Sequence, residues 1–479
     1  MNGLQPTNKT YAGQAQTVFC FTHTRPLLMK FLTKVWIGDR VQWPAKTLID
    51  TSSATYRILY SLGEGGVGSV YAADIIDVKP ESIAGFEARG LQVGSLVAIK
   101  QQTLNNEQTW DEVSILSALT GVPEGCAIAS CLVDFSIRVA TNTAILVIEL
   151  LDGAQDGLTI TEQLQGLPRV AAVRNLRLDI LAKLFRAIGT LHELGVYHRD
   201  IKPENIVIGQ TETFSDQDML DMWARVAGQA VEVAFEPGMT NIQRYVLLRQ
   251  NTPGDTDSEA ESDFVAVIYN SLAVKLIDFG LATTVSQSQM LDGQANIVGT
   301  PRYIDPWLVA CGGVLAFYGT PAKNADSRLF ETQVWQLTDV WSAGATAYTM
   351  FWGEYMFPDT EPEPPLFEPK TLLNSDEKAL LTHVLSKLKP AFTDDELPLL
   401  SIGLGATSGT SVELFYSILT RIDQETLRSG RIRVSFPGEM YPEDSKAIKP
   451  ISKLLAIQPR KRKTELLELA SLLRQKVPN

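Results

Sequence analysis

Residues 56–100 and the chain from 176 onward follow different rules, and that change of pattern restricts the fold most. The first stretch alternates short apolar runs with glycine: Tyr56-Arg-Ile-Leu-Tyr-Ser-Leu, then Ser69-Val-Tyr-Ala-Ala, then Ser95-Leu-Val-Ala-Ile-Lys. Such runs predict antiparallel strands. A helical stretch is predicted from about Gln108 to Leu119, with Val113, Leu116 and Leu119 on one face, followed by strands over Cys131 to Ile137 and Ala144 to Leu150. From Leu176 the apolar residues Leu178, Leu181, Leu184, Phe185 and Ile188 recur at helical spacing. A small sheet-rich unit followed by a larger helical one is expected, with no internal repeat.

Composition sets outer limits. The 479 residues are 45% hydrophobic and 20% charged, which excludes a disordered or collagen-like chain. Lys and Arg number 42 against 55 Asp and Glu, a formal charge of −13, so general attraction to nucleic acid is not expected. The first 55 residues oppose this sign. Lys9, Arg25, Lys30, Lys34, Arg40 and Lys46 face only Asp39 and Asp50, a formal +4, which leaves −17 for the rest. Within this extension, Leu28, Phe31, Leu32 and Val35 read as a short basic amphipathic helix from about Arg25 to Ile37. It suits docking onto the acidic body, a targeting peptide, or peripheral membrane contact. The uncharged run Pro306 to Ala322 is broken by glycines and is too short for a comfortable membrane span. Cys20, Cys126, Cys131 and Cys311 hold no Cys-x-x-Cys pair, so neither a zinc site nor a disulfide framework is expected, and a reducing, cytoplasmic setting fits best.

Two interruptions enlarge the helical part. Residues 210–272 contain a predicted helix from Asp216 to Val231 and then a tract, Asn251 to Asp263, with five acids and no base, which reads as a solvated loop. Residues 376–437 give no chemical signal.

Four segments carry chemistry. Gly63, Gly65 and Gly68 with Val70 form Gly-x-Gly-x-x-Gly-x-Val between two strands. Backbone N–H groups of such a loop can approach phosphate oxygens, although a flexible turn has the same composition. Lys100 ends the apolar strand holding Ala98, where a buried ammonium needs anionic partners. Glu112 lies on the helix that follows. Tyr197-His-Arg-Asp-Ile-Lys-Pro-Glu-Asn205 then puts Asp200, Lys202 and Asn205 into one proline-shaped loop. A carboxylate, a cation and an amide oxygen so close together suit a hydroxyl nucleophile, a moving phosphoryl group and a metal. Lys275-Leu-Ile-Asp-Phe-Gly280 adds Asp278 at the end of a further apolar strand.

In this order the segments resemble the eukaryotic-type protein kinase family. The resemblance implies an α+β, two-lobed fold over about 56–475, with an N-lobe (56–151) of antiparallel sheet plus one regulatory helix, and a larger helical C-lobe (152–475). It implies that Gly63, Gly65, Gly68, Val70 and Ala98 enclose ATP, and that Lys100 holds its phosphates while pairing with Glu112. Ile148 falls at the gatekeeper position, and Glu149 to Leu151 form the adenine-facing hinge. Asp200 would accept the substrate proton, Lys202 would contact the γ-phosphate, and Asn205 and Asp278 would bind Mg2+. Lys-Pro-Glu-Asn205 and Gly299-Thr-Pro-Arg-Tyr303 are similar to the serine/threonine branch, so protein substrates with Ser or Thr are expected. Thr283, Thr284, Ser286 and Ser288 are hydroxyls whose phosphates would pair with Arg199, or plain loop residues. Asp339 would brace the catalytic loop. Two other classes remain open: a kinase-fold scaffold (pseudokinase) acting through its extension and insertions, and a small-molecule phosphotransferase. One departure from the family stands out. Asp305-Pro306-Trp307 replaces the usual Ala-Pro-Glu, and Trp307 is expected to stack on Arg462 in place of an ion pair.

Overall fold

The computed structural model describes residues 43–64, 68–104, 106–168, 170–252, 256–284, 299–305, 327–356, 445–456 and 462–474. The expected helix at 25–37, Gly65, the run 306–322, Ser286, Ser288, Trp307 and the insertion 376–437 lie outside them. Two compact units are formed, one from residues 43–110 with 134–147, the other from 111–133 with the chain from 148 on.

The first unit is a sheet of order β1-β2-β3-β4-β6-β5. Its strands are β1 (Leu48–Asp50), β2 (Ala54–Glu64), β3 (Gly68–Val78), β4 (Leu96–Thr103), β5 (Leu132–Arg138) and β6 (Thr143–Glu149), with a short α1 (Ile83–Glu87) between β3 and β4. Alternation is clear on β2, where Ala54, Tyr56 and Ile58 are buried and Arg57 reaches out to Asp74 on β3. The sheet begins at Leu48, ahead of the alternating run that announces it. Buried Asp134 ties that beginning to β5 by accepting hydrogen bonds from the Thr51, Ser53 and Tyr56 hydroxyls, and Trp43 lies 5.4 Å from the Tyr71 ring.

The second unit opens with α2 (Asn106–Thr120) and α3 (Pro123–Ile128). The strand β7 (Asp152–Asp156) precedes α4 (Gly157–Gln165) and α5 (Ala171–Glu193). α5 buries Leu176, Leu181, Leu184, Phe185, Ile188 and Leu191 and forms the centre of the unit. Next come β8 (Val196–Tyr197) and β9 (Ile206–Gln210), then α6 (Asp216–Ala227), α7 (Asn241–Gln250) and α8 (Ser258–Asn270), then β10 (Leu272–Leu276) and β11 (Thr283–Thr284). α9 (Ser327–Trp352), α10 (Ser445–Leu454) and α11 (Leu466–Arg474) complete the described chain. α8, α9 and α11 pack against α5. The expected class, an antiparallel sheet followed by a helical unit, is the observed one.

Three features depart from expectation. The helix predicted to reach Val231 stops at Ala227, because Gly228 takes a left-handed conformation (φ 67). The acidic tract is no loop from Ser258 onward, since it builds the first turns of α8. Asp257 accepts from the N–H groups of Glu259 and Ala260, and acids in a first turn complement the helix dipole. Glu261 is 1% exposed, paired with Arg249 at 3.2 Å and receiving the Tyr245 hydroxyl at 2.9 Å. Lastly, Cys126 and Cys131 are joined by a disulfide, with Cα atoms 5.4 Å apart. Chain reversal after α3 brings together two cysteines whose sequence spacing suggested no pairing. Among the described residues, no helix is long and apolar enough to cross a membrane.

Candidate active site

In the first unit, the register pairs Val70 with Lys100 and Ala72 with Ala98. Cross-strand partners and residues two apart share a face, so Val70, Ala98 and Lys100 stand on one side of the β3–β4 ribbon. Gly68 enters this ribbon where the backbones nearly touch, since a Cβ there would come within 2.1 Å of the Gln101 carbonyl oxygen. Its conservation of space is therefore a strand-packing need, independent of any ligand. At Gly63 a Cβ would meet nothing within 4 Å, so packing sets no demand there.

In the second unit, the loop after α5 is assembled by bonds to distant segments. Asp339 on α9 is fully buried. It accepts the N–H of His198 (2.8 Å) and of Arg199 (2.8 Å), and its Oδ2 lies 3.0 Å from His192 Nε2, which donates because a carboxylate only accepts. Arg199 is thereby held at φ 66, a conformation that costs energy without such support. His198 Nδ1 accepts the Asp200 N–H at 3.4 Å, so its Nε2 carries the proton and donates to the Ile277 carbonyl at 3.0 Å. The Ile277 N–H in turn donates to the Asn205 carbonyl at 3.0 Å. These two bonds, with the antiparallel pairing of β9 and β10, bind the loop to the segment carrying Asp278, which caps a 3-10 turn at φ 62.

Asp200 is surrounded by donors. Its Oδ1 accepts the N–H and the hydroxyl of Thr300, both at 2.8 Å. Its Oδ2 accepts Asn205 Nδ2 at 3.0 Å and lies 3.0 Å from Lys202 Nζ. Lys202 also donates to the Thr300 hydroxyl at 2.7 Å. Thr300 stands in the Gly299-Thr-Pro-Arg-Tyr303 motif, but the motif did not foretell its contact with Asp200, 100 residues away. Its approach depends on Gly299 (φ 115), where a Cβ would come within 2.7 Å of the Arg199 carbonyl oxygen.

The fit to a divalent ion can be judged from the donors. Asn205 Nδ2 also donates to the Asp200 carbonyl at 2.8 Å. A carbonyl can only accept, so the amide is oriented, and no donor among the described residues is bonded to its Oδ1. That hard oxygen and the Asp278 carboxylate are the ligand types Mg2+ takes. Glu112 is 2% exposed, and a Cβ on Gly280 would lie 3.7 Å from its Oε2 and 3.4 Å from Asp278 Oδ1. Glu149 has its carboxylate on Lys275 Nζ at 2.6 Å, another contact the motifs did not suggest. The Leu151 carbonyl accepts the Ala154 N–H at 3.2 Å.

Beyond the loop, Arg199 stacks 4.6 Å over the Trp335 ring, and its Nε is buried without a hydrogen bond. Burial lowers its pKa to about 10, against the pull of Asp339 and Asp111. It remains a cation at neutral pH. The end of the segment corrects the sequence expectation. Arg462 does form an ion pair, fully buried and bidentate, with Asp305 (Nη2 to Oδ1 at 2.8 Å), and the ring beneath its guanidinium is Trp341, at 5.0 Å. A carboxylate two positions before Trp307 restores the charge partner that the Ala-Pro-Glu form would supply.

Residues 56–218 match the family model described as protein kinase domain. This stretch holds β3 to β6, Glu112 and the loop with Asp200, Lys202 and Asn205, while β1 and the Lys275–Gly280 segment lie beyond it. A protein provisionally named cyclin-dependent kinase F-2, from Oryza sativa subsp. japonica, is 26% identical over 158 residues, which are 32% of this chain and 43% of that relative. The chain thus aligns with less than half the length of the relative it matches. A crystal structure of a kinase domain superposes with a TM-score of 0.46 and 15% identity, covering 91% of this chain and 98% of that one.

Proposed function

We propose that this protein kinase domain is active and transfers the γ-phosphoryl group of Mg-ATP to serine and threonine hydroxyls of protein substrates. One observation carries the reading: Asp200, Lys202, Thr300 and Asn205 form a single hydrogen-bonded cluster. Asp200 orients the incoming hydroxyl and takes its proton at a carboxylate oxygen. Lys202 faces the charge that builds on the transferring group, already in place before reaction. Lys100 holds the α- and β-phosphates, under the cover of Gly63, Gly65, Gly68 and Val70. Glu149 and Leu151 meet the adenine by their backbones. Mg2+, held by Asn205 Oδ1 and Asp278, would neutralise phosphate charge. The Lys-Pro-Glu-Asn205 form and the Thr300 contact support the serine/threonine preference. Arg199 is the receiver for a phosphate added between Gly280 and Gly299. Thr283, 8% exposed and paired in β11, is a poor acceptor, which leaves Thr284, Ser286 and Ser288.

The test is transfer from labelled ATP and magnesium to a peptide library, with Asp200→Asn as control. Loss of a positioned base is expected to lower transfer by about 10²- to 10⁴-fold while nucleotide binding persists. Wild-type transfer by Asp200→Asn overturns the role of Asp200. Absence of transfer by the wild type, with nucleotide retained, assigns the fold to a scaffold, and transfer only to metabolites assigns it to a small-molecule phosphotransferase. Peptide mapping after incubation with ATP checks the phosphosite; a fully active, unmodified segment removes the regulatory part.

A further inference from the structure

Glu149, at the end of β6, is held by more than one neighbour. Its N–H donates to the Cys131 carbonyl at 2.9 Å, and its Oε2 accepts the Cys131 N–H at 3.3 Å. The same Oε2 meets Lys275 Nζ at 2.6 Å, with the lysine side chain 9% exposed. Cys131 is therefore clamped reciprocally onto the residue that the proposed function places against adenine. The segment just before it is stitched to β10: Ala129 bridges Leu276, and the Ser130 N–H donates to the Leu276 carbonyl at 3.3 Å. Two residues beyond Leu276 lies Asp278. A covalent restraint on this junction is the bond from Cys131 to Cys126 in α3, a helix that packs on α5 and β10. Gly125, Ile128, Ala129 and Ser130 are buried, whereas Cys126 and Cys131 are both partly open to solvent.

We propose that Cys126–Cys131 is a thiol–disulfide exchange site that sets the position of Glu149 and thereby nucleotide affinity. The idea rests on the proposed function only in its last step. Reduction proceeds when the thiolate of a low-molecular-weight thiol attacks one sulfur, giving a mixed disulfide and one protein thiol. A second thiol releases the other sulfur, so two reductant thiols become one disulfide and the protein gains two protons and two electrons. Oxidised glutathione reverses the balance. Freed from α3, Cys131 loses the covalent tie that steadies its two bonds to Glu149, but Lys275 keeps hold of the carboxylate. The effect on affinity is consequently graded, about three- to tenfold, and not all-or-none.

The full chain is equilibrated with oxidised glutathione or with dithiothreitol, and three quantities are read: the mass of the peptide holding both cysteines, amide exchange over residues 145–152, and affinity for a fluorescent ATP analogue. Expected results are a 2 Da gain on reduction, exchange at Glu149 faster by about tenfold, and analogue affinity about three- to tenfold weaker. The paired variant Cys126→Ser with Cys131→Ser should match the reduced form and ignore glutathione. Two free thiols in oxidised glutathione, or equal exchange at Glu149 in both forms, overturns the proposal. If neither form binds the analogue, the functional reading falls, and the exchange rates alone still decide whether the disulfide controls Glu149.

Discussion

The loop 198–205 and the inserted helices sit in the same unit but are held together by different kinds of bond. The loop depends on partners far away in the chain: Asp200 on Thr300, 100 residues on; His198 on Asp339, 141 on; Asp305 on Arg462, 157 apart. The insertion between β9 and β10 depends on neighbours. Glu261 meets Tyr245 across 16 residues and Trp223 Nε1 meets Thr252 across 29. Ser215, Thr240 and Asp257 each cap the helix they precede. Trp223, Tyr245 and Phe264 share an aromatic core, with Trp223 and Phe264 centroids 5.2 Å apart. The loop's shape is thus a property of the whole unit, while the insertion's shape is largely its own. Damage to the first should spread to the chemistry, and damage to the second should stay where it is made.

The largest effect is expected from Asp339→Ala. It strips two buried backbone N–H groups of their acceptor, each at a cost of about 1–3 kcal/mol, and removes the support for Arg199 at φ 66. A total loss near 4 kcal/mol by urea unfolding and a fall in phosphoryl transfer of about 100-fold or more are expected. Amide exchange within α6 to α8 should stay as in the wild type. Exchange rising equally in the loop and the insertion would dissolve the distinction between them.

Two buried ion pairs allow a sharper comparison. Asp305→Asn leaves Arg462, with no side-chain exposure, facing a neutral amide, and breaking such a pair costs about 3 kcal/mol or more. Glu261→Gln keeps an oxygen for the Tyr245 hydroxyl but likewise leaves buried Arg249 facing a neutral amide, so about 3 kcal/mol is expected there too. The first should also lower transfer, because Asp305 ends the segment that carries Thr300; the second should not. Equal losses of transfer would show that the insertion supports the active segment as strongly as Arg462 does.

What could be read from the chain follows the same division. The grouping of Asp200, Lys202 and Asn205 in one loop was legible from their fixed spacing, and the sheet-then-helix order was legible from periodicity. The contacts of Thr300 with Asp200 and of Asp305 with Arg462 were not, although the residues themselves stood in motifs, since contacts across 100 residues or more leave no local pattern. Strand β7 escaped notice because Asp-Gly-Ala-Gln-Asp has no apolar alternation and pairs with β9 through its backbone. The acidic tract misled for a different reason: five acids without a base look solvated, yet acids are what the start of a helix prefers. Glu261 is buried only because Arg249 and Tyr245 arrive from α7. The cysteine pair was missed because spacing alone does not show a chain reversal.

The smallest effect tests the local character of the insertion most directly. Asp257 Oδ1 accepts from Glu259 N–H at 3.0 Å and Ala260 N–H at 3.1 Å, and nothing else in the described chain bonds to its side chain. Asp257→Ala should therefore cost about 1 kcal/mol, the usual worth of a helix cap. Asp257→Asn keeps an accepting oxygen and forfeits only the charge at the positive end of α8, so a few tenths of a kcal/mol, about 0.3–0.5, is expected, and added salt should erase the difference. In the alanine variant, amide exchange should quicken in the first turn of α8 and nowhere in 196–211. Phosphoryl transfer by either variant should equal the wild type within about twofold, because no bond of the catalytic loop ends on that turn. A tenfold loss of transfer from so small a change would mean that α8, through its packing on α5, takes part in positioning the loop, and the two regions would have to be treated as one.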